Sequence, residues 1–79
     1  MKILVMDRDG LAAQRLSSQL EEEGYEVIQE PIKNEALERM KEEKFDAVFF
    51  DPAPLADARP VVLEIRRMLS AYTYLVLLS

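Results

Sequence analysis

The chain has no cysteine, no histidine and no tryptophan, and only two glycines. Without cysteine there is no disulfide framework, no thiolate zinc site and no thiol nucleophile. Without histidine the usual general base and the commonest metal ligand are missing. No apolar run approaches the ~18 residues of a membrane span. Met1-Lys2-Ile3 leads straight into an apolar run, without the layout of a signal peptide. Basic residues are also scarce. Ten Lys and Arg face fifteen Asp and Glu, for a net charge of −5, whereas phosphate backbones demand a concentrated basic face. Arg66-Arg67 is the only adjacent basic pair and reads as a solvated helix edge. These absences set the expectation of a soluble, cytoplasmic protein with no nucleic-acid partner and no membrane partner.

What is present is a regular alternation. The 79 residues allow one small domain, and the 49% apolar share is that of a globular chain. Residues 2–6 are apolar after Lys2, as expected of a strand buried on both faces. Residues 10–23 carry Leu11, Ala12, Leu16 and Leu20 at roughly helical spacing, with Asp9 as N-cap and Gly24 just past the end. Residues 25–29 alternate like an edge strand, and Pro31 ends it. Asn34 is expected to cap a second helix with Ala36, Leu37 and Met40 on its apolar stripe. Residues 45–50 form the third strand, and Asp51-Pro52-Ala53-Pro54 must be a loop. Pro60 suits the first turn of a third helix, with Val62, Ile65, Met68 and Leu69 inward. Residues 74–78 form the fourth strand, and Tyr72 and Tyr74 are expected to pack. This β-α-β-α-β-α-β order, with right-handed crossovers, makes a parallel sheet carrying helices on its faces.

Carboxylates stand where two buried strands should end: Asp7 and Asp9 after the first, Asp51 after the third. Parallel sheets bind ligands outside the carboxyl ends of their strands. Such a pocket can hold a hard cation, carry a phosphoryl group, or both. Each residue also has a plainer role. Asp9 can serve only as a helix cap, Asp51 only as a polar strand end, and Ser79 only as a terminus.

Lys2-Ile-Leu-Val-Met-Asp7-Arg-Asp9, Gly24-Tyr-Glu-Val27, Phe45-Asp-Ala-Val-Phe-Phe-Asp51 and Tyr74-Leu-Val-Leu-Leu-Ser79, in this order, resemble the receiver domain of bacterial response regulators. The resemblance implies an α/β, flavodoxin-like partial receiver spanning residues 1–79, with four parallel strands in order 2-1-3-4 and three helices. It covers about the first two-thirds of that family's domain. The family's fourth helix, lysine-bearing fifth strand and fifth helix have no counterpart here. By the resemblance, Asp51 is the phosphoacceptor and Ser79 the hydroxyl that bonds a phosphoryl oxygen. Asp7, Asp51 and the Ala53 backbone carbonyl are the Mg²⁺ ligands, with Asp9 a weak fourth. A histidine kinase and an output protein are the implied partners. Arg8 departs from the pattern, standing where a second acidic metal ligand is expected. A guanidinium cannot coordinate a cation, but it can pair with Asp51 and take the cation's place.

Two other readings stay open. Asp7-Arg8-Asp9-Gly10 also resembles the Asp-x-Asp-Gly opening of haloacid-dehalogenase-type phosphatases, in which Asp7 is the nucleophile and Asp9 the acid. The chain could equally be a non-functional engineered piece of a longer receiver. The physics of the strands favours assembly rather than turnover. Three apolar strands want cover on both faces, and three helices supply little of it. Residues 74–78 would form an exposed apolar edge that invites pairing with a second chain. The expectation is therefore a self-associating signalling module, a homodimer through this strand, and not a turnover enzyme.

Overall fold

A computed structural model describes residues 1–52, 59–70 and 72–78. The elements in chain order are β1 (Lys2–Met6), α1 (Gly10–Glu22), β2 (Glu26–Gln29), α2 (Lys33–Glu42), β3 (Ala47–Phe50), α3 (Arg59–Met68) and β4 (Tyr74–Leu77). The strands form one parallel sheet in the order β2-β1-β3-β4, so the flavodoxin-like topology that the receiver resemblance implies is the one observed.

Side-chain alternation divides the sheet into two unequal faces. Leu4, Met6, Val48 and Phe50 point to one face and pack with Ala36, Leu37 and Met40 of α2 and Ile65 of α3. Ile3, Val5 and Ala47 point to the other, where α1 supplies Ala13 with Leu16 and Leu20 beside it. Two helices thus cover one face and one helix the other. The register sets Tyr74 against Ala47 and Val76 against Phe49, on the α1 face but beyond that helix's reach. Tyr74 is 71% exposed and Leu77 52%. The expectation that Tyr72 and Tyr74 pack is thus corrected: both stand in solvent, because no described element lies over that part of the sheet.

Helix ends follow local chemistry. Asp9 Oδ1 accepts the Leu11 and Ala12 amides at 3.1 and 3.2 Å, capping α1. Gly24 adopts φ +92° just past its end. There its amide donates to the Glu21 carbonyl and the Tyr25 amide to the Leu20 carbonyl, the paired closure that a left-handed residue permits. The start of α2 differs from expectation. Its N-cap is Ile32, which gives no side-chain cap, and Asn34 already lies within the helix. β3 begins two residues late, at Ala47. Asp46 turns its carboxylate onto the Lys2 amide at 2.7 Å, and the Phe45 carbonyl accepts the buried Thr73 hydroxyl at 2.7 Å.

Candidate functional site

The parallel sheet brings three strand ends to one edge. Each is followed by an acidic residue: Glu30 after β2, Asp7 after β1, Asp51 after β3. The Glu30 amide donates to the Val5 carbonyl and the Asp51 amide to the Met6 carbonyl, at 2.9 and 3.0 Å. These bonds continue the strand pairing past the last regular residue and fix where each side chain starts.

These three carboxylates, and Asp9 beside them, then diverge. Asp7 is buried, and its Oδ1 accepts the Asp9 amide at 2.9 Å. Asp9 spends Oδ1 on the α1 cap. Glu30 accepts from Arg39 Nε at 3.1 Å. Among the described residues of the expected site, Asp51 lines a cavity. That cavity has a volume of about 330 Å³, and Arg8, Lys33 and Asp51 line it together with Met6, Ile32 and Phe50. Among the described residues Arg8 and Asp51 form no hydrogen bond or ion pair with each other, and Asp51 is not without a partner. Lys33 reaches Glu64 at 3.7 Å, both side chains about half exposed.

Sequence reasoning missed Lys33. The signal was available, since Lys33 follows the end of β2 as Arg8 follows the end of β1. Thr73, which ties the entry to β4 back to Phe45, was also missed. Ala53 and Ser79, expected as a metal-binding carbonyl and a phosphoryl-binding hydroxyl, lie outside the described residues.

A divalent cation fits the described donors poorly. Among them no three acidic side chains come together to hold a metal. An ion in the cavity would meet the Asp51 carboxylate beside two cationic side chains.

Away from this edge, the opposite end of the sheet carries a charge network. The Lys2 ammonium bonds Glu43, and Arg39 lies 3.5 Å from the same carboxylate. The bond to Lys2 holds Glu43 below the usual carboxylate range, and Glu43 in turn pushes Lys2 up.

No family model matches the sequence, and no curated protein matches it. Among solved structures the chain is similar to a response regulator protein from Burkholderia pseudomallei, described with a phosphorylated aspartic acid, calcium ion and citrate. The two share 26% identity with a TM-score of 0.82, over 96% of this chain and 45% of the other. The chain therefore has a receiver-like fold and spans less than half the length of that protein. No helix among the described residues is long and apolar enough to cross a membrane.

Proposed function

We propose that this chain is a signalling and assembly module of the receiver type, self-associating through β4 and the open part of the sheet, with Asp51 as its phosphoacceptor position. One bond carries the reading. The Leu78 amide donates to the Phe50 carbonyl at 2.8 Å, and Phe50 immediately precedes Asp51. Charge added at Asp51 therefore lies one residue from the backbone that fixes the end of the uncovered strand. Likeness to a response regulator described with a phosphorylated aspartic acid supports the same assignment.

Two copies related by a two-fold axis can pair β4 with β4 and continue the sheet from one copy into the next. Each copy then covers apolar surface that the other leaves wet. In the phosphorylation step an Asp51 carboxylate oxygen attacks the phosphorus of a phosphodonor. The new O–P bond forms as the bond from phosphorus to the donor's leaving atom breaks, an oxygen in acetyl phosphate and an imidazole nitrogen in a phosphohistidine, and the leaving group departs with the electron pair. A histidine kinase is the proposed donor in the cell, and an output protein or a second copy the proposed reader.

Intact-mass measurement after incubation with acetyl phosphate tests the acceptor. Wild type and Asp9→Ala should each gain one phosphoryl group, and Asp51→Asn none. An adduct that persists in Asp51→Asn but is lost in Asp7→Asn would assign the nucleophile to Asp7 and favour phosphatase-type chemistry.

A further inference from the structure

We infer that the cavity at the ends of β1 and β3 is an anion site that takes a phosphate-type dianion without a divalent cation, with Arg8 as its main receptor and Lys33 as a second positive charge. The inference deepens the reading of Asp51 as acceptor, but phosphate binding at Arg8 can be tested without any transfer to Asp51.

Arg8 is exposed and lines the cavity, so its fork of donors can meet a planar or tetrahedral oxyanion there. Lys33 faces the same space, and its contact with Glu64 is long and half exposed, hence readily exchanged. The remaining wall is largely apolar, with Met6, Ile32, Phe50 and Val61, and a low-dielectric wall strengthens charge-assisted hydrogen bonds. The volume of about 330 Å³ is roughly ten waters' share of liquid. That is room for a phosphoryl group together with a small carrier.

The local charges decide the sign of the ligand. Asp7 and Asp9 have turned an oxygen to backbone amides and do not line the cavity. Among the described lining residues Arg8 and Lys33 outnumber Asp51, which suits an anion and opposes a cation. A phosphoryl group held by Arg8 also lies in the space onto which the Asp51 carboxylate opens, with its charge offset by the protein itself.

The experiment is an amide NMR titration of the full chain with sodium phosphate in EDTA, at constant ionic strength set by chloride. Saturable shifts are expected at Arg8, Lys33 and Asp51. Arg8→Ala should weaken binding about tenfold or more, as expected for loss of a charged hydrogen-bond donor. Arg8→Lys should restore part of it, a point charge replacing a fork. Asp51→Asn should bind as well as wild type or better, because a repelling carboxylate is gone. Arg8 is exposed, so unchanged spectra elsewhere report that its variants fold. Absence of saturable shifts in EDTA, a requirement for Mg²⁺, or equal affinity in Arg8→Ala would each overturn the inference. A chain that binds phosphate through Arg8 yet gains no phosphoryl group from acetyl phosphate would refute only the acceptor role of Asp51.

Discussion

At the scale of single residues, this chain separates carboxylates that look alike in sequence. Asp7, Asp9 and Asp51 all follow apolar runs, yet one is buried on an amide, one caps a helix and one opens onto a cavity. Their number and position after the strands were legible, because strand ends in a parallel sheet converge. Their division of labour was not, because it depends on which amide each oxygen reaches. Glu43 shows the same dependence on three-dimensional neighbours. Lys2, distant in sequence, lowers its pKa, so the stabilisation it contributes is complete above the ordinary glutamate value. It is lost as pH falls through the lowered value. The melting temperature of wild type should exceed that of Glu43→Gln at neutral pH, and the gap should close below about pH 4. The effect should be modest and shrink with salt, since the pair is solvent-accessible. A gap that does not change with pH would contradict the role given to this pair.

At the scale of elements, the helix ends give sharper expectations. Asp9→Ala removes two accepted amides at the start of α1 and should lower stability by about 1 kcal/mol. Gly24→Ala should cost about 1–2 kcal/mol. A Cβ there would meet nothing within 4 Å, so the penalty comes from the positive φ alone. Ile65, fully buried from α3, should cost about 2–5 kcal/mol as Ile65→Ala. Urea midpoints with unchanged slopes would check all three. Element order was legible, because period and turn residues encode it, and strand order followed from the receiver resemblance. Boundaries were less so. Asn34 is a good cap by type, but α2 starts before it, with Ala36 already donating to the Ile32 carbonyl at 2.9 Å. Tyr74 alternates like a packing residue, but the surface it would pack on has no described cover.

At the scale of the whole molecule, the unequal faces are the central fact. The sheet ends in β4, where Tyr74 and Val76 are exposed on the α1 face and Leu77 on the opposite one, and one backbone edge has no described strand beside it. Parallel sheets are ordinarily covered on both faces, and a long apolar edge is a site of association. Val76→Lys places a charge in the middle of that edge and should shift the chain toward smaller species or toward unfolding, read by sedimentation. If self-association is the working mode, a phosphoryl mimic at Asp51 acts through the β3–β4 ladder on that same edge. The measurement that tests this most directly is molar mass by light scattering across a dilution series, with and without beryllofluoride. A dimer that dissociates on dilution and changes its midpoint with beryllofluoride, but not in Asp51→Asn, is the expected result. A folded monomer at every concentration, with a cooperative melt, would contradict it.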